Sequence, residues 1–134
     1  MDNQPLCLDT SVPIAFLRNR EPGANAVVHA VQNYQCGVTA ITSYELLFGV
    51  HRSNKQIGEN ALLGLMTIWP LDEQAAEQAA QLHVNLIAQN RDIGVKDVLI
   101  AAICLTHSLP ILTLNEKHFT RVPSLTVYTP STIP

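Results

Sequence analysis

Leu6-Cys7-Leu8-Asp9-Thr10-Ser11-Val12-Pro13 is the stretch on which the fold turns. Three apolar residues run into an acid, and a hydroxyl pair followed by proline then supplies the cap and first turn of a helix. This is a strand that passes directly into a helix, with Asp9 at the join. The same alternation continues outward. Pro22-Gly23 breaks the chain before a helix over Ala24 to Gln32, and Cys36 to Ile41 reads as a β-branched strand followed by helical spacing from Thr42 to Val50. Ile57 to Ile68 is a further apolar helical stretch, Trp69-Pro70-Leu71 an extended connection, and Glu73 to Gln89 an Ala-rich helix with Leu82 and Leu86 on its buried stripe. Val98 to Leu105 is apolar almost all round and predicts a central helix. Pro110 to Leu114 follows as a buried strand, then a short helix from Asn115 and a last strand, Leu125 to Tyr128. Strands alternating with helices predict an α/β fold, a central parallel sheet flanked by helices on both faces.

The length, 134 residues, suits one domain over residues 1–134, with 129–134 as a surface tail. Apolar residues make up 47% and charged residues only 14%, which excludes disorder and coiled coil. Eight Lys and Arg against eleven Asp and Glu leave a net charge of −3, so no broad basic face is available and any polynucleotide must be gripped locally. Cys7, Cys36 and Cys104 have no CxxC spacing and sit in apolar runs, as reduced, buried thiols do. The start carries Asp2 in place of a basic region and Asp9 inside its apolar stretch, so no signal peptide is expected. No apolar run approaches the roughly 20 residues of a membrane span. A cytoplasmic protein without membrane contact is the expectation.

In an open α/β sheet, ligands bind beyond the carboxyl ends of the strands. Asp9 and Asn115 each directly follow an apolar strand, Glu45 lies in the first turn after the strand ending at Ile41, and Asp97 heads the central helix. All four fall on one edge. Each has an ordinary structural explanation: Thr42-x-x-Glu45 is a capping box, Asp97 complements a helix dipole, and Asp9 and Asn115 cap a turn or a helix. Their convergence in a charge-poor chain is the stronger argument. Three neighbouring carboxylates repel unless a cation joins them, and carboxylate plus amide oxygens suit Mg²⁺, with Mn²⁺ as a substitute, better than zinc. His29, His51, His83, His107 and His118 show no HExxH or paired spacing, and only His118 falls near this edge. Neither GxGxxG nor GxxxxGK[ST] occurs, which removes dinucleotide and P-loop readings.

Four blocks, Leu8-Asp9-Thr10-Ser11-Val12, Thr39-x-x-Thr42-Ser43-Tyr44-Glu45-Leu46-Leu47-Phe48-Gly49-Val50, Ile93-Gly94-x-x-Asp97-x-x-Ile100-Ala101-Ala102 and Thr113-Leu114-Asn115-Glu116-Lys117-His118-Phe119, resemble a PIN-domain protein in order and spacing. The likeness is closest to VapC-type toxins of bacterial toxin–antitoxin pairs and covers nearly the whole chain. The resemblance implies a Mg²⁺-dependent endoribonuclease that hydrolyses RNA with a metal-activated water, is neutralised by a cognate antitoxin, and forms a homodimer. Carried over, Asp9, Glu45 and Asp97 match the acidic metal site. Asn115 falls where many relatives have Asp and others Asn, and Thr10 or Ser11 matches the hydroxyl after the first acid.

Lys96, Lys117 and Arg121 stand beside these positions and are the leading candidates to hold RNA phosphates. Apolar helix surface between Tyr44 and Ile68 is the expected dimer face. Two other readings keep the acidic edge: phosphoryl transfer to Asp9, which lacks the Lys such chemistry needs after a later strand, and a non-catalytic metal-binding module.

Overall fold

A computed structural model of the chain describes residues 3–134; Met1 and Asp2, with the signal-peptide argument that used Asp2, lie outside the described residues. The elements run β1 (Gln4–Leu8), α1 (Ser11–Leu17), α2 (Gly23–Asn33), β2 (Tyr34–Thr39), α3 (Ala40–Ser53), α4 (Glu59–Gly64), β3 (Thr67–Trp69), α5 (Glu73–Ala88), α6 (Val95–Thr106), β4 (Ile111–Leu112), α7 (Glu116–Phe119) and β5 (Val127–Tyr128). The strands form one sheet in the order β3-β2-β1-β4-β5, and every pairing is parallel. From β1 the chain works outward to β2 and β3, then crosses back to add β4 and β5 on the other side. The strand order therefore reverses between β1 and β4, where open parallel sheets place their ligands.

Alternation along the strands divides the core into two layers. Cys7 and Ile111 face α5 and α6 together with Phe119 of α7. Leu6, Leu8 and Leu112 face the opposite side, against Val12 of α1, Ala26, Val27 and Ala30 of α2, Leu46 of α3 and Leu63 of α4. The predicted central helix is α6, buried at Val98, Ile100, Ala101, Ala102, Ile103 and Cys104. Among the described residues, no helix is long and apolar enough to cross a membrane.

The strands placed over Pro110 to Leu114 and Leu125 to Tyr128 shorten to Ile111–Leu112 and Val127–Tyr128, and two further elements depart from the sequence reading. The strand placed over Cys36 to Ile41 ends at Thr39, and Ala40 and Ile41 already belong to α3. The helix placed over Ile57 to Ile68 shrinks to the six residues of α4, because Gly58 enters it at φ 114° and the chain turns after Gly64. Thr67 to Trp69 then form β3 at the sheet edge, paired with Gly37 to Thr39. A three-residue edge strand buries too little for periodicity to reveal it, and Ile68 remains 44% exposed. The last six residues lie at the surface but are held: Tyr34 Oη donates to the Pro134 carbonyl at 3.3 Å, and Ile133 packs on the second core layer.

Gly37 sets how closely β3 approaches β2. A Cβ there would sit 2.5 Å from the Thr67 carbonyl oxygen and 2.6 Å from the Trp69 ring. Gly37→Ala should therefore destabilise the protein by about 1–3 kcal/mol, the usual cost of overpacking, through a backbone that cannot step aside. Urea unfolding checks this, and an unchanged midpoint would mean that β3 contributes little.

Candidate carboxylate site

The strand register assembles the site. Cys7 pairs with Gly37 and Leu8 with Leu112, so one or two residues further Asp9 stands between Thr39 of β2 and Thr113 beyond β4. Asp9 N–H donates to the Leu112 carbonyl at 2.9 Å, which extends the ladder to the acid itself. Asp9 is only 5% exposed, and Thr10, Thr39, Thr42 and Thr113 are buried around it. These are five of the six buried polar side chains among the described residues; the sixth, Glu59, is at α4. A polar cluster concentrated in one place of an apolar chain marks this end of the sheet as more than packing.

Each buried group has a partner. Ser11 Oγ and Thr113 Oγ1 both donate to Asp9 Oδ2 at 2.8 Å, leaving Oδ1 without a side-chain donor. The two hydroxyls are themselves fixed: Ser11 Oγ accepts from Leu114 N–H at 3.2 Å and Thr113 Oγ1 from Asn115 N–H at 2.9 Å. Thr10 does not cap α1 with its side chain. Its hydroxyl lies 2.7 Å from Thr42 Oγ1 and donates to Glu45 Oε1 at 2.9 Å. Thr10 thus links the first strand end to Glu45.

Glu45 has no capping role, because α3 begins earlier than the Thr42 capping box required. Thr39 is the cap, accepting from Thr42 N–H at 3.3 Å, and Glu45 sits in the second turn with its carboxylate aimed at Thr10 and Lys96. Asp97 lies in the first turn of α6. The preceding loop is pinned by Asp92, whose Oδ1 accepts from Gly94 N–H and stands 2.9 Å from His83 Nε2. The Gly94 N–H bond, with the His83 ring, holds the Asp92 carboxyl below its ordinary range. Asp97 Oδ2 is 2.7 Å from His118 Nδ1 on α7, and Asn115 Nδ2 is 3.2 Å from that same ring nitrogen. Asn115 makes no side-chain cap to α7.

Electrostatics single out Asp9. Burial pushes its carboxyl above the ordinary value, the Thr113 and Ser11 hydroxyls partly offset this, and the Asp97 charge raises it again. A divalent cation would relieve both the desolvation and the repulsion. The all-oxygen donors fit Mg²⁺ or Mn²⁺, which take one or two carboxylates and keep several waters, and suit zinc poorly. Among the described residues, no three acidic, histidine or cysteine side chains stand close enough to share one ion. Asp97 is near enough for its charge to act on Asp9, and Glu45 is tied to the site through the Thr10 hydroxyl. Of the three cations singled out in the sequence, Lys96 pairs with Glu45 at 3.4 Å, Arg121 donates to the Asp92 carbonyl at 3.1 Å, and Lys117 is exposed on α7.

Sequence reasoning missed Thr39, Thr42 and Thr113 as parts of this cluster and gave His118 no role. The available signal was Thr ending two apolar strands, where solvation alone would not require it.

The fold and site define a class: a doubly wound parallel domain with paired carboxylates at its topological switch point. Comparison with known proteins makes the class specific. The PIN domain family model matches residues 6–125. Ribonuclease VapC of Rickettsia bellii is 36% identical over 132 residues, covering 92% of this chain and 95% of that protein. The crystal structure of VapBC2 from Rickettsia felis bound to a promoter DNA fragment superposes with a TM-score of 0.81 at 21% identity, over 94% of this chain and 98% of that one. VapBC-5 from Mycobacterium tuberculosis, a member of the VapBC family of toxin-antitoxin systems, superposes at 0.65 with 26% identity, over 93% and 96%. The chain belongs to the PIN-domain family and is of the VapC type.

Asp9 gives a signed pH prediction. Its folded pKa is raised above the ordinary 3.8, so the folded state holds the proton more tightly than the unfolded chain does. The ionised carboxylate thus costs stability above the folded pKa, and this cost shrinks as pH falls towards the unfolded value. Asp9→Asn can keep both hydroxyl bonds through its amide oxygen and is neutral at every pH. It should melt higher than wild type at about pH 7 without metal, with the advantage fading towards about pH 4. Thermal melts in chelator measure it; a variant that melts lower at neutral pH would show that the charge is already compensated.

Proposed function

We propose that this chain is a divalent-metal-dependent endoribonuclease, the toxin of a toxin–antitoxin pair, and that it hydrolyses RNA phosphodiester bonds in the cytoplasm. The observation that carries this reading is the buried Asp9 carboxylate beside Asp97 at the switch point, in a chain similar to a protein named Ribonuclease VapC. Asp9 and Asp97 would hold Mg²⁺ or Mn²⁺, with Glu45 close by; when bound, such an ion lowers the pKa of water and neutralises charge on the phosphodiester. Ser11 and Thr113 fix Asp9 Oδ2 and orient the carboxylate. Thr10 holds Glu45 Oε1 and keeps that acid at the rim, where it can take a proton or orient a water. Lys117, exposed on α7, and Lys96, exposed at the rim beside Glu45, supply local phosphate contacts in a chain with net charge −3.

The partners follow from leftover apolar surface, of which two patches stand out. One is a groove of about 490 Å³ among α1, α2 and α4, lined by Phe16, Val28, Val31, Ile57, Leu65 and Met66. It is the surface for an apolar segment of the cognate antitoxin, which also sends a basic side chain to the acidic site. The other is the Tyr44–Phe48 pair on α3, with ring centroids 5.9 Å apart and both side chains exposed, which suits a homodimer contact. Phe48→Glu should then yield monomers by light scattering at micromolar concentration; an unchanged mass would move the contact elsewhere.

Two measurements test the enzymatic reading. Asp9→Asn, Asp97→Asn and Glu45→Gln should each abolish cleavage of RNA while retaining the fold, since each removes charge at constant volume. Mn²⁺ at a hundredfold excess over its dissociation constant should stabilise the wild type by about 2.7 kcal/mol. Wild-type cleavage by the Asp9 variant, or melting indifferent to millimolar Mn²⁺, would refute it.

A further inference from the structure

His118 approaches the site from α7, where the wholly buried side chain of Phe119 anchors the helix to the core. The ring is therefore delivered to the site by packing. Its Nδ1 is 2.7 Å from Asp97 Oδ2, within the range of charge-assisted bonds, and the two side chains are 38% and 23% exposed. An ionised Asp97 can only accept, so Nδ1 carries the proton. That settles the neighbour as well. Asn115 Nδ2, 3.2 Å from the same nitrogen, would face donor to donor. Turning the amide by half a revolution places its oxygen there, as a second acceptor for the same N–H.

We propose that His118 is a positioning residue for the metal-binding carboxylate Asp97, with Asn115 serving the imidazole and not the ion. The inference rests on the metal-dependent reading above. Asp97 Oδ2 has no other hydrogen-bond partner among the described residues, and Oδ1 has none, so the imidazole alone fixes the rotation of this carboxylate. Asp9 is held by two hydroxyls on Oδ2 with Oδ1 left without a side-chain donor; His118 gives Asp97 the same arrangement. Both carboxylates then present one oxygen each. Partners in this outer position orient ligands and raise metal affinity without touching the ion.

Calorimetric titration of metal-stripped protein with Mn²⁺ tests the inference without any activity readout. His118→Ala should weaken binding by about 10- to 100-fold, the usual effect of losing such a partner. His118→Asn places an N–H close to the position of Nδ1 and nothing at the position of Nε2, so it should recover most of the affinity. Wild-type affinity in His118→Ala would overturn the proposal. Equal loss in both variants would overturn it too, by making the ring a direct ligand through Nε2. A wild-type protein that binds no Mn²⁺ would instead remove the metal reading itself, and this inference with it.

Discussion

Asp9 carries a carboxylate into the end of the strand around which the whole sheet is ordered, and an uncompensated charge at 5% exposure is costly in a low-dielectric interior. Every neighbouring choice answers that cost. β4 pairs with β1 in the register that brings Thr113 to Asp9 Oδ2, and α1 starts where Ser11 reaches the same oxygen. Thr10, Thr39 and Thr42 line the floor with hydroxyls that satisfy one another and the start of α3. The hydroxyls orient the carboxylate but do not neutralise it, and the nearby Asp97 makes ionisation harder still. A site stabilised in every respect but charge is suited to bind a cation.

The sheet and its two helical layers were legible because strongly apolar segments carry the signal. Leu6-Cys7-Leu8 and Ile111-Leu112 are fully buried and Val98 to Leu105 nearly so, as the central strands and central helix of a parallel sheet covered on both faces must be. The edge was illegible for the converse reason. β3 is three residues long, half exposed and preceded by a helix broken at Gly58 and Gly64, so helical spacing ran through it unopposed.

At the site, residue types were legible and their relations were not. Asp9, Glu45 and Asp97 stand out as acids in a charge-poor chain. Where α3 begins decides what Glu45 does, and a three-residue shift of its cap from Thr42 to Thr39 releases that acid from capping. Spacing cannot resolve such a shift, since Thr39-x-x-Thr42 and Thr42-x-x-Glu45 both carry a plausible cap. His118 was hidden differently: it meets Asp97 across 21 residues of chain, through β4 and the turn that follows it. Only the crossing of α6 and α7 brings the two together.

The proposed divalent-metal site at Asp9 and Asp97 stands against a purely structural network of buried hydroxyls. Crystals grown in Mn²⁺ would test it most directly, by an anomalous difference map at a wavelength where manganese scatters. A metal site requires a peak within direct coordination distance of both Asp9 Oδ1 and an Asp97 oxygen, with Ser11 and Thr113 still bonded to Asp9 Oδ2. A well-ordered site without such a peak, or a peak on Glu45 alone, would contradict it.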